Sequence, residues 1–263
     1  MNMNAGHVTL LIVFPLWMLC GCGETNSAKT LYNQGRAATA AGKLDEALAN
    51  FELAIKLKPD LAEAYLGRGM TYVQLSGSIE MDQSDRPKPM ADFDAQKTVL
   101  NLDKAFADLD QAIMLKPVLA EAYAARGMAH MRRVELNVAM GMRDKGKMMA
   151  ELDSGIADCN EAIRLKPTFA LAYYSRAILY GARREFDKAL ADYHEAIRLN
   201  PRAAAFYCKR GLTYEKLGQR DEAVADYRQA QELGLSPALK KQVEIHLHKI
   251  LPDDPSPSPT DTP

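Results

Sequence analysis

Five histidines, four cysteines and a few paired carboxylates are the residues here that could act as bases, nucleophiles or metal ligands. His246 and His248 are two apart in a stretch of helical pattern, so they leave on different faces and cannot share a metal. His130 and His194 stand on separate segments with no His or Cys at ligand spacing. Cys159 falls on an apolar helix face and reads as a buried, inert thiol. Cys208 belongs to another helix, where a bridge to Cys159 is geometrically doubtful. The acidic pairs Asp45-Glu46 and Asp221-Glu222 recur at helix starts, where the macrodipole favours negative charge. No glycine-rich phosphate loop is present. These residues predict no catalytic site, no metal and no cofactor.

Composition narrows the partners. The chain has 263 residues, 48% hydrophobic and 25% charged, a balance that excludes wholesale disorder. Lys plus Arg number 33 against 34 for Asp plus Glu, a net charge of -1. A nucleic acid held by its phosphates would need a basic excess, and none exists. Four cysteines are too few for a disulfide scaffold.

One cysteine does invite chemistry. Val8 to Leu19, VTLLIVFPLWML, is too short to span a bilayer, which takes roughly 20 apolar residues, and matches the apolar region of a secretory signal. Leu19-Cys20-Gly21-Cys22 resembles the bacterial lipobox. That resemblance implies cleavage after residue 21, acylation of Cys22 and a membrane anchor in the cell envelope. Gly23, where Asp would signal inner-membrane retention in enteric bacteria, favours the outer membrane facing the periplasm. Residues 1–7 depart from the pattern in having no Lys or Arg. The rival reading is a soluble secreted or cytosolic adaptor.

Internal repeats set the architecture. Pro59, Pro117, Pro167 and Pro201 each end a similar segment, at spacings of 58, 50 and 34. Tyr65, Tyr123, Tyr173 and Tyr207 repeat those spacings, as do the small residues Gly69, Gly127, Ala177 and Gly211, with Gly35 standing 34 before Gly69. The base period is 34, with 24 and 16 extra residues in the second and third units. Within a unit, Tyr173 and Ala177 share one helix face, and Ala189, Tyr193 and Ala196 share another. Small residues let the paired helices approach, and each proline ends the second helix. One helix pair cannot bury its apolar face alone, so the units must stack.

This 34-residue pattern resembles the tetratricopeptide repeat. The resemblance implies an all-α, right-handed superhelical solenoid of five repeats at 28–61, 62–119, 120–169, 170–203 and 204–235. Residues 22–27 read as a linker. The insertion 76–99, with Pro87 and Pro89, reads as a loop; the insertion 134–149 would lengthen the flanking helices. Both would project from one edge, as tolerated loop growth or as a binding site. Ser236-Pro237 starts a capping helix over 236–251, and the proline-rich 252–263 reads as disordered.

In that family the first helix of each repeat lines the concave surface, which implies a groove for a protein segment. By register it would be faced by Leu66, Met70, Val73, Ala124, Met128, Met131, Leu171, Tyr174, Ile178 and Leu212, with Lys29 and Arg36 near one end. Several of these could equally pack between repeats. Methionine's flexible side chain suits adaptable partner surfaces. The carboxylate clamp of chaperone-binding members is missing: Tyr32, Arg36, Gly67, Glu121 and Ala125 stand at its positions. The expected partners are proteins, plus a membrane through Cys22, and no small-molecule substrate. Repeat lipoproteins that assist secretin assembly, outer-membrane protein insertion or hydrolase recruitment are similar in layout.

Overall fold

A computed structural model describes residues 21–77, 80–81, 87–88, 94–142 and 144–251. The apolar segment 8–19, half of the insertion 76–99 and the segment 252–263 lie outside the described residues.

Five helix pairs follow one another: α1 (Gly21–Ala40) with α2 (Leu44–Leu57), α3 (Ala62–Leu75) with α4 (Ala95–Leu115), and α5 (Ala120–Ala139) with α6 (Lys145–Leu165). Then come α7 (Ala170–Ala182) with α8 (Phe186–Leu199), α9 (Ala204–Lys216) with α10 (Arg220–Leu233), and a final helix α11 (Pro237–Ile250) against α10. The expected all-α solenoid with a capping helix is what the chain forms. Its only described strands are the two-residue β1 (Glu80–Met81) and β2 (Pro87–Lys88), paired antiparallel inside the first insertion.

Each second helix packs on its own first helix and on the first helix of the next pair. The first helices also touch each other along the series α1, α3, α5, α7, α9. One layer is thus closer-packed from repeat to repeat than the other, which curves the stack and makes the first-helix side its inner face.

Small residues face large ones inside every pair. A Cβ added at Gly35 would meet Phe51 at 2.7 Å, one at Gly127 would meet the Cys159 sulfur at 2.7 Å, and one at Gly211 would meet Tyr227 at 3.0 Å. Phe51, Leu109, Cys159, Tyr193 and Tyr227 hold one position of the repeat, and all five are buried. Burial pushes the Cys159 thiol far up, as befits an inert core residue, and neither Cys159 nor Cys208 is bridged.

Both insertions feed into helices. The second runs on in α5 and α6, leaving a short turn at Gly141, φ 73°. The last five residues of the first, 95–99, form the start of α4 rather than loop, because Asp94 accepts a hydrogen bond from the Lys97 backbone at 3.0 Å and caps it. Asp144 caps α6 the same way, through Lys147. At the amino end, α1 already begins at Gly21, so residues 22–27 are helical where a linker was expected. Ser236 caps α11 as its sequence predicts, accepting from Leu239.

Candidate concave binding site

The groove residues divide by environment. Leu66 is only 8% exposed and sits in the core with Leu109 and Ala122, while Val73 packs at the edge of that cluster. Ala124 is likewise buried beside Ala162 and Ala172. Met70 and Leu171 are 41% and 49% exposed, and Met128 is half-buried. The Tyr174 ring stacks on Phe206 at 4.6 Å and leans on Tyr193, so it spaces α7 from α9. Burial pushes its phenol up to about 12. Met131, Ile178 and Leu212 come together on the wall of one cavity.

That cavity, about 190 Å³, lies where the capping helix closes the inner face. α5 supplies Met131 and Glu135, α7 supplies Ile178, α9 supplies Lys209, Leu212 and Lys216, and α11 supplies Gln242 and His246. Phe186 and Tyr193 of α8 form its floor. Apolar side chains with a few polar groups at the rim can hold peptide side chains. The volume falls below the roughly 300–1,000 Å³ typical of small-molecule sites.

Electrostatics fix the rim. Arg132 donates to Glu135 at 2.7 Å. Glu215 binds α11 to α9, taking bonds from His246 at 2.8 Å, Lys249 at 2.9 Å and Tyr227 at 3.1 Å. Burial works against the Glu215 charge, but these donors outweigh it and hold the carboxyl at about 2. His246 is therefore a structural partner of a carboxylate. Among the described residues no cluster of His, Cys, Asp or Glu could hold a metal.

A second charged array is absent from the sequence-based expectations. Arg68, Arg126, Arg176 and Arg210 each donate two bonds, at 2.7–2.8 Å, to the buried Asp108, Asp158, Asp192 and Asp226 of the partner helix. Arg126 reaches back to Asp110 and Arg176 to Asn160, both at 2.6 Å, tying each repeat to the one before it. These arginines also lie over Tyr65, Tyr123, Tyr173 and Tyr207. The signal was available: the four arginines obey the spacings 58, 50 and 34 and follow each tyrosine by three residues.

Comparisons with known proteins agree with the geometry. A family profile described as TPR repeat matches residues 35–76 and 182–218, and one described as Tetratricopeptide repeat matches 204–233. Among solved structures, a thermophilic TPR protein of Thermus thermophilus is 20% identical with TM-score 0.67, covering 85% of this chain and 98% of its own. PilF of Pseudomonas aeruginosa is 13% identical with TM-score 0.60, covering 88% and 87%. A tetratricopeptide repeat protein of Parabacteroides merdae is 20% identical with TM-score 0.55, covering 86% and 73%. At such identities the likeness establishes the fold. No curated protein sequence matches the chain.

Proposed function

Since the chain is a tetratricopeptide-repeat protein, we propose that it is a non-catalytic interaction scaffold that binds a segment of a protein partner on its inner face. The observation carrying this reading is the cavity on that face, where Met131, Ile178 and Leu212 from three successive repeats form one apolar wall. Nothing in the repeat pattern itself requires a hollow there, and apolar concavities rimmed by polar groups commonly mark interaction sites. Met70 on α3 and Leu171 on α7 are exposed apolar side chains outside the cavity.

The test is co-purification of partners with the intact chain and with the double variant Met131→Glu, Ile178→Glu. Two charges in the cavity should cost at least about tenfold in affinity, because truncating or charging an anchor residue commonly costs about 2 kcal/mol or more. Circular dichroism must show the same helicity for both proteins. Undiminished binding by the folded double variant would reject the inner face.

We also propose that Cys22 is acylated and tethers this scaffold to the outer membrane of a bacterial envelope. The support is the apolar run 8–19, followed by Leu19-Cys20-Gly21-Cys22 and then Gly23. Among the described residues no helix is long and apolar enough to cross a membrane. Cys22→Ser should abolish fatty-acid labelling and release the protein from membranes; unchanged fractionation would point to a different attachment.

A further inference from the structure

Met114 and Val118 are the most exposed large apolar side chains among the described residues, at 66% and 68%. They flank the turn that joins α4 to α5. The repeat frame asks for neither. At the place of Met114 other repeats carry Lys56, Arg164 and Arg198, and at the place of Val118 they carry Asp60, Thr168 and Arg202. Leu171, also exposed, stands where repeats two and three carry Glu63 and Glu121. Those two glutamates locate the patch. Glu63 at the start of α3 pairs with Lys116 at the end of α4, and Glu121 at the start of α5 with Lys166 at the end of α6, both at 2.7 Å. First-helix starts and second-helix ends therefore share one edge of the stack, and exposed Leu57, the last residue of α2, lies on it. α1 pairs with α2 through the short turn 41–43, so its start at Gly21 leaves from the same edge. The apolar run 8–19 and Cys22 thus reach the fold here, with α1 extending about 10 Å beyond residue 28.

Resting on the reading of Cys22 as a lipid anchor, we propose that this edge seats on the bilayer that holds the anchor, with Met114 and Val118 entering the headgroup layer. Continuity selects this occupant. A membrane reached through Cys22 lies at the start of α1, on the edge where these apolar side chains stand exposed. Apolar side chains that enter the interface add to an anchor's hold. Lys56, Lys58 and Lys166 flank the pair on the neighbouring turns. Basic residues at helix ends answer to the helix dipole in any case, but their long stems also let the charged heads meet lipid phosphates. Glu63 and Glu121 are neutralised by their lysines, and Asp60 stands beside Lys58, so the edge does not repel phosphate. Seated this way, the helices stand upright on the membrane. The turns from first to second helix, with both insertions, point away from it, and the inner face opens sideways to partners.

The acylated chain should be placed in vesicles of phosphatidylethanolamine and phosphatidylglycerol containing brominated acyl chains, which quench fluorophores at membrane depth. Val118→Cys and Met140→Cys take an NBD label in turn; Cys159 and Cys208 are buried and do not compete. Met140 is the control, because it is also exposed and apolar but sits beyond the far end of α5, about 30 Å from Val118. The label at 118 should be quenched and the one at 140 should not. Met114→Glu with Val118→Glu gives the turn the charged character of the other repeats, and the melting temperature should not change. A label at Leu57→Cys should then report at least about a tenfold fall in the ratio of seated to free molecules, since two apolar side chains lose their burial. Met140→Glu with Met142→Glu should leave that ratio unchanged. An acylated, vesicle-bound chain whose label at 118 is quenched no more than the one at 140 overturns the proposal and leaves the anchor standing. So does an unchanged ratio in the Met114, Val118 variant. A chain that carries no acyl group and stays off the vesicles overturns both. A label at 118 shielded from water yet unquenched by the brominated lipids would assign the edge to a second copy of the chain and overturn a lipid seat.

Discussion

Repeat one and repeat four share one 34-residue frame but are fastened differently. In repeat four, Arg176 grips the buried Asp192 with two bonds and Asn160 of the preceding repeat with a third. In repeat one the same two positions hold Gln34, which is exposed, and Asn50, whose side chain bonds only its own helix at the Glu46 carbonyl. Phe51 still wedges against Gly35, so the apolar lock is common to both. Apolar packing is therefore enough to make the helix pair, and the arginine clasp adds orientation and a tie to the neighbouring repeat. Native-state hydrogen exchange should show α1 and α2 opening more readily than α7 and α8.

Cutting the clasp should give the largest effect. Arg176→Met leaves Asp192 charged, buried and alone, which costs about 3–5 kcal/mol. Gln34→Met at the matching place should stay within about 0.5 kcal/mol. Chemical denaturation of both variants checks the pair, and equal losses would erase the distinction between the repeats. Overpacking the shared lock comes next: Gly211→Leu drives side-chain atoms into Tyr227 and should cost about 1–3 kcal/mol.

Smaller effects separate the extended helices from the standard ones. Asp144→Ala removes the cap of α6 and should cost about 1 kcal/mol. Gln219→Ala, at the start of α10, where no side chain caps the helix, should cost almost nothing. Thermal melts distinguish these outcomes.

The cap should respond to acid. The Glu215 carboxyl is depressed to about 2 in the folded state from an ordinary value of 4.5. Its contribution is therefore present above about pH 4.5 and is lost as the pH falls toward 2. Exchange of the α11 amides should accelerate through that window in the wild type. In Glu215→Gln it should already be fast at neutral pH and change less.

The repeat frame was legible because prolines, tyrosines and small residues recur at common spacings, each marking a steric requirement of the helix pair. The arginine clasp was legible in the same register but silent to a search for apolar periodicity. Groove membership was harder to read. Leu66 and Met70 are one turn apart on α3, yet Leu66 packs into the core and Met70 faces solvent. Which side of a first helix meets its own partner, the next repeat or the groove depends on inter-helix angles that no local pattern encodes. The cavity also needs α11, and only the folded stack brings His246 near Met131. The insertions show the opposite limit. Asp94 and Asp144 are ordinary capping residues, but their role appears only once the added residues are known to prolong the helices.

The central claim, that partners bind on the inner face, is tested most directly by photo-crosslinking in the cells that produce the protein. A photoreactive amino acid would replace Ile178, on the cavity wall, or Ala191, exposed on α8 of the same repeat. Partner adducts should form from position 178 and be absent from position 191. Adducts from 191 with none from 178 would contradict the account and place binding on the outer face.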